Sequence, residues 1–344
     1  MTNIPYILDI LSQPDSLKNA LKKFDAAPLA PLAKAIRNND FDRILVTGMG
    51  GSLYASYPVW LTLANAGLPA LWVDTAELIH HTPNLITSKT LLWIFSQSGK
   101  SAEIVSALDF ERMQKPAALI ATVNDAESPL AKAAQYHVQI HAEIEKTVST
   151  RTYVNTLGIG QLATLALLGK DIDAACDELM QTASAMESYL ADWEGRVEQI
   201  GKALGFPKRL VILGRGSSLA ATYAGALILA EAAKYLATPF QAGEFRHGPL
   251  ELATPDLTAL LFAGPQETRN LNERLLNDLR GHQVNAFWIG PEKNEWQIEL
   301  PGVPAIGQPL MEIIPLQLLS IHFANQISVE PGYFFRSGKI TLAE

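Results

Sequence analysis

The segment Phe95-Ser96-Gln97-Ser98-Gly99-Lys100-Ser101 gathers three hydroxyls and an amide within one short turn. It follows the apolar run Thr90 to Phe95 and precedes the helix-like stretch Ala102 to Arg112. A turn between a strand end and a helix start offers side-chain donors, free backbone N–H groups and the positive end of a helix dipole, which is what a phosphate monoester needs. An N-cap would use a single hydroxyl; three, at Ser96, Ser98 and Ser101, favour the phosphate. Three further residues carry reactive groups. Glu231 is a carboxylate among Leu229, Ala230, Ala232 and Ala233, an unusual setting for a solvated helix charge. His247 stands in the Gly/Pro-rich loop Gly243-Glu244-Phe245-Arg246-His247-Gly248-Pro249-Leu250, where Glu244 and Arg246 are expected to pair with each other. Lys339 lies in a tail whose Phe334, Phe335 and Ile340 predict docking rather than free solvation. A carboxylate in a partly dry pocket can move a proton between adjacent carbons. Histidine titrates near neutral pH. A desolvated lysine near other cations can react as an amine.

The chain around these residues repeats. Arg43-Ile44-Leu45-Val46-Thr47-Gly48-Met49-Gly50-Gly51-Ser52 and Arg209-Leu210-Val211-Ile212-Leu213-Gly214-Arg215-Gly216-Ser217-Ser218 share a pattern, with glycines 166 positions apart. Each leads into an alanine-rich helical stretch, Tyr54 to Ala66 and Ala220 to Leu236. The third position of a dinucleotide fingerprint is Leu53 in one loop and Leu219 in the other, so a nicotinamide cofactor is not expected. Further apolar runs, at Ala70 to Val73, Ala117 to Thr122, His137 to Ile140, Thr258 to Phe262 and Asn285 to Ile289, alternate with helical patterns. That alternation predicts an α/β fold with two tandem doubly wound parallel sheets. Helices are expected at Ile7 to Lys23, Lys170 to Leu204 and Met311 to Ile327. The expected organisation is a helical segment at 1–40, a first domain at 41–170, a helical connection at 171–205, a second domain at 206–329 and a tail at 330–344.

Composition narrows the function classes. The 344 residues are 48% apolar and 18% charged, with a net charge of −8, which disfavours nucleic acid. Cys176 is the only cysteine, so neither an internal disulfide nor a multi-cysteine metal site is expected. His80 and His81 are adjacent, while His137 and His141 fall in strand and loop; neither pair is expected to hold a metal. No basic n-region opens the chain and no run is long enough for a membrane helix, so a cytoplasmic protein is expected, with no membrane partner.

Ser-Gln-Ser-Gly-x-Ser after a hydrophobic strand resembles the phosphate loop of the SIS (sugar isomerase) family, and Gly-Glu-Phe-Arg-His-Gly-Pro-Leu resembles that family's most specific motif. Within the family the chain is similar to the isomerase half of glucosamine-6-phosphate synthase and its stand-alone relatives. The resemblance covers nearly the whole chain, starting at Ile10-Leu11-Ser12-Gln13-Pro14. It implies two SIS domains of flavodoxin-like design. It implies that Ser96, Gln97, Ser98 and Ser101 hold a sugar phosphate and that Gly51 and Ser52 line the same site. It implies that Glu231 shuttles the proton, that His247 opens the sugar ring, and that Lys339 acts at the carbonyl through a Schiff base. In the family this histidine reaches the neighbouring subunit's site, so a homodimer is implied too. No cofactor or metal is implied.

The departures from the family pattern are Gly51 where threonine is common, Ile228 where a lysine is usual, and a loop from Glu145 to Arg151 that is one residue shorter and ends in arginine. A glutaminase domain is not expected, and residue 2 is Thr2 rather than a nucleophilic cysteine. The resulting expectation is an amino-sugar-phosphate deaminase/isomerase that converts glucosamine 6-phosphate to fructose 6-phosphate and ammonia. The alternatives are a fructosamine-6-phosphate deglycase, an aldose–ketose phosphosugar isomerase and a non-catalytic sugar-phosphate sensor.

Overall fold

The computed structural model describes residues 3–291, 297–336 and 338–342. It contains two five-stranded, wholly parallel sheets. The first is built from β1 (Arg43–Gly48), β2 (Ala70–Asp74), β3 (Thr90–Phe95), β4 (Ala118–Val123) and β5 (Tyr136–Gln139), in the order β2-β1-β3-β4-β5. The second is built from β6 (Arg209–Gly214), β7 (Thr238–Gln241), β8 (Leu257–Phe262), β9 (Asn285–Gly290) and β10 (Gln297–Glu299), in the equivalent order β7-β6-β8-β9-β10. Both are doubly wound sheets of the flavodoxin-like order. Every residue of β3, β4 and β8 is buried, as expected of strands covered on both faces.

The chain divides into two compact units. The first sheet belongs to a unit made of Asp15–Glu145, Arg151–Met180 and the described residues after Phe335. Its core packs Leu45, Leu92, Ile94, Leu119, Ala121 and Val123 with Ile104 and Leu130. The second sheet belongs to a unit made of the described residues up to Pro14, Lys146–Thr150 and Gln181–Phe335. Val211, Leu213, Phe245, Leu261, Leu275 and Trp288 fill its core.

Several expected helices are shorter or split. The helix expected over Ile7 to Lys23 is two, Pro5–Leu11 and Gln13–Lys23. Pro14 has no N–H for the Ile10 carbonyl and its ring crowds that group, and the chain restarts as a second helix with Pro14 in its first turn. Pro58 does the same to the expected Tyr54 to Ala66, giving Gly50–Ala55 and Tyr57–Asn65. Lys170 to Leu204 resolves into Ile172–Leu190 and Trp193–Leu204. The expected Ala220 to Leu236 is Leu219–Ala233, ended by Lys234 in the left-handed region at φ 55°. Met311 to Ile327 is observed as Gln308–Gln326.

Candidate functional site

In a doubly wound sheet, ligands bind outside the carboxyl ends of the strands, where the winding reverses. In the first sheet that point lies between β1 and β3, and the register sets Gly48 opposite Phe95. The two candidate phosphate segments therefore leave adjacent strand ends side by side. Gly50 turns the first at φ 50° into the helix Gly50–Ala55, which carries Gly51 and Ser52, both half-buried. A Cβ on Gly51 would meet nothing within 4 Å, so the backbone there faces open space.

The second segment is pinned by its own hydroxyls. Ser96 Oγ accepts from Gly99 N at 3.1 Å, and Ser98 Oγ accepts from Lys100 N at 3.2 Å. A hydroxyl that accepts one bond keeps its proton to donate. Ser96 and Ser98 are buried, and Gln97 and Ser101 are half-buried. Gly99 adopts φ 61°, and a Cβ there would fall 2.3 Å from Ser128 Oγ. Lys100 leans away to Asp125 at 2.5 Å, and that contact holds the Asp125 carboxyl below its usual range. Ser101 precedes the helix as its N-cap without a side-chain cap bond.

The helix after this loop differs from the expected Ala102 to Arg112. It covers Ala102–Ser106. Asp109 then captures the N–H of Glu111 with its own carboxylate, a local bond that competes with helix continuation. So short a helix adds little dipole to the donors of the loop.

The tail docks on the same loop. Ala102, the first residue of that helix, donates its N–H to the Thr341 carbonyl at 3.0 Å. Lys339 Nζ donates to Glu145 Oε2 at 2.7 Å. The Glu145 carboxylate is fully buried and also accepts from Arg151 N at 2.9 Å and Thr152 Oγ1 at 2.6 Å. The expected setting of Lys339 among cations is thus corrected: its amine is clasped by a buried carboxylate. Glu145 itself was not singled out as a site residue. Its signal is the resemblance of Glu145 to Arg151 to the family's Glu…Ser-Thr-Lys loop, which does not point to Lys339 as a partner.

Glu231 and His247 belong to the other unit. Glu231 is half-buried near the end of Leu219–Ala233. The amine of Lys234 bonds the Glu231 carbonyl at 2.5 Å and the Tyr333 carbonyl at 2.5 Å, and lies 4.9 Å from the centre of the Phe335 ring. Burial lowers the pKa of Lys234, and the Glu231 carboxylate opposes that shift. His247 is exposed after the short turn Glu244–Arg246, its N–H bonded to the Glu244 carbonyl at 2.8 Å. The expected Glu244–Arg246 pair is not formed. Arg246 reaches Asp278 at 2.5 Å, because a one-turn segment aims residues two apart in different directions.

The description "SIS domain" matches residues 38–166 and 206–325. The glutamine–fructose-6-phosphate aminotransferase [isomerizing] of Pyrococcus horikoshii is 27% identical over 337 residues, covering 92% of this chain and 54% of the relative. The chain therefore spans about half the length of the curated relatives it matches. Among solved structures, the C-terminal domain of glucosamine-fructose-6-phosphate aminotransferase from Francisella tularensis superposes with a TM-score of 0.82 at 22% identity, covering 95% of this chain and 97% of that one. Tagatose-6-phosphate ketose/aldose isomerase from Escherichia coli gives a TM-score of 0.81 at 19% identity, covering 96% and 95%. With both repeats matched, and with both built on the same strand order, the chain belongs to the SIS domain family.

Proposed function

We propose that the chain is a phosphosugar isomerase-type enzyme, and that its reaction is the deamination and isomerisation of glucosamine 6-phosphate to fructose 6-phosphate and ammonia. The observation that carries this reading is the serine loop at the carboxyl end of β3, where the buried Ser96 and Ser98 hydroxyls accept loop N–H groups and keep their own protons to donate. In this reading Ser96, Gln97, Ser98 and Ser101 hold the phosphate, and the Gly51–Ser52 backbone lines the site.

The roles of Glu231 and His247 rest on the match of their segments to the family's motifs. His247 opens the pyranose, acting from the partner copy of a homodimer. Glu231 takes the C2 proton of the open-chain amino aldehyde, giving an enolamine, and returns it to C1. The resulting C2 imine is attacked by Lys339, which expels ammonia and holds the sugar as a Schiff base. Water then releases the ketose. Atoms balance as one water consumed and one ammonia formed.

The test is ammonia release from glucosamine 6-phosphate, coupled to detection of fructose 6-phosphate, with Glu231→Gln beside the wild type. Turnover by the wild type and none by the variant supports the reading. Fructose 6-phosphate binding without turnover transfers the activity to a fructosamine phosphate, a plain aldose–ketose exchange or sensing.

A further inference from the structure

The carboxyl ends of the second sheet are built differently from those of the first. The residues after β8 are Ala263-Gly264-Pro265, where β3 is followed by Ser96-Gln97-Ser98. Gly216 turns at φ 56°, matching Gly50, yet a Cβ on it would meet the Pro265 ring at 3.0 Å. The hydroxyl set that suits a phosphate is replaced there by alanine and proline.

Beside this point the unit has a cavity of about 150 Å³, with Ala263, Val303 and Met311 as apolar wall and Arg269, Gln308 and Glu312 as polar wall. A cavity of about this volume accommodates a six-membered ring. Glu312 is only 2% exposed. Its Oε1 accepts from Ser218 Oγ and from Gln308 Nε2, both at 2.9 Å. Its Oε2 is buried without a hydrogen-bond partner. Glu312 is the fifth residue of Gln308–Gln326, as Asn155 is of Arg151–Leu167. Asn155 donates its amide N–H groups to Ser16 and the Ile140 carbonyl, inside the protein, and its Oδ1 is likewise buried without a hydrogen-bond partner. Glu312 lines a cavity instead, and a buried polar atom of this kind calls for a partner.

We propose that this cavity is a second ligand site, one that takes a monosaccharide-sized hydroxylated ring or its amine derivative without a phosphate. With the carboxyl ionised, Glu312 Oε2 accepts a hydrogen bond from a hydroxyl or ammonium of the ligand, and with the carboxyl protonated it donates one to a ligand hydroxyl. The Arg269 guanidinium serves ring oxygens, and Ala263, Val303 and Met311 cover the C–H face of the ring. A purely apolar ligand would leave Oε2 unpaired, and a phosphate drawn to Arg269 would meet the Glu312 carboxyl beside it. The site is independent of the serine loop in the other unit and of the reaction proposed there.

Calorimetric titration with glucosamine, and separately with glucose, tests the site. Val303→Trp fills the cavity from a half-exposed position and leaves the bonds of Glu312 in place; Glu312→Leu removes the acceptor. Both variants are checked for wild-type melting, with Val303→Phe as the substitute if Val303→Trp melts early. The expected result is uptake of one sugar per chain, at least tenfold weaker in the cavity-filling and Glu312→Leu variants and not displaced by fructose 6-phosphate. No uptake of either sugar would overturn the proposal. So would affinity unchanged in the cavity-filling variant, or displacement by fructose 6-phosphate, which would put the sugar at the serine loop.

Discussion

Lys339 and Glu145 lie 194 positions apart in sequence, and no local spacing joins them. The lysine was legible only through its resemblance to a family tail, and its partner was not. The Glu145 carboxylate has several donors, Lys339 among them, so removing Lys339 strips one donor from a buried group at a cost of about 1.5–3 kcal/mol. In the proposed reaction the amine must leave Glu145 to reach a carbonyl. Reduction with borohydride in the presence of fructose 6-phosphate should therefore fix the sugar on the peptide bearing Lys339, as read by mass spectrometry, and Lys339→Arg should abolish the adduct. An adduct on another lysine would remove the covalent role of this one.

Glu312 is the second residue whose setting the sequence hid, because an acid in an apolar helix looks the same whether it faces solvent or a cavity. Burial pushes its carboxyl from 4.5 up to about 7, against the opposing bonds from Gln308 and Ser218 and the nearby Arg269. The folded state then holds a proton that the unfolded chain releases. The corresponding stability is complete below pH 4.5 and is lost as the pH rises to about 7. At about 1.4 kcal/mol per pKa unit the loss is a few kcal/mol. Glu312→Gln should flatten the fall of the melting temperature between roughly pH 5 and 7; an unchanged slope would mean that Glu312 is not the group responsible.

At the scale of elements, the serine loop was the most legible part of the molecule, because its three hydroxyls stand between an apolar run and a break. The length of the following helix was not legible: an i, i+3 pattern does not reveal that Asp109 captures a backbone N–H. Pro14 and Pro58 stand at the breaks of the expected helices while Pro315 lies inside Gln308–Gln326, so a proline in the sequence did not by itself tell a break from a continuous helix. The loop's conformation turns on Gly99, whose positive φ and lack of a Cβ let it pass Ser128. Gly99→Ala should destabilise the fold by about 1–3 kcal/mol in denaturant titration. It should also weaken fructose 6-phosphate binding by more than that loss of stability explains. Wild-type affinity in this variant would show that the loop does not need its present path.

For the whole molecule, the repeat of strand and glycine turn in the two halves was enough to anticipate two doubly wound sheets, and both have the same strand order. The sequence did not reveal how the repeats have diverged. In one the central strand is followed by Ser96-Gln97-Ser98 and in the other by Ala263-Gly264-Pro265, and the difference has meaning only once both are placed at carboxyl ends, where doubly wound sheets bind ligands. In the proposed function the first repeat holds a sugar phosphate. Calorimetry with fructose 6-phosphate, on the wild type and on the Ser96→Ala, Ser98→Ala double variant, tests this most directly. Hydrogen bonds to a charged group contribute about 1.5–3 kcal/mol each, so the double variant should bind at least a hundredfold more weakly. Equal affinity in both proteins, or no binding by the wild type, would contradict the account.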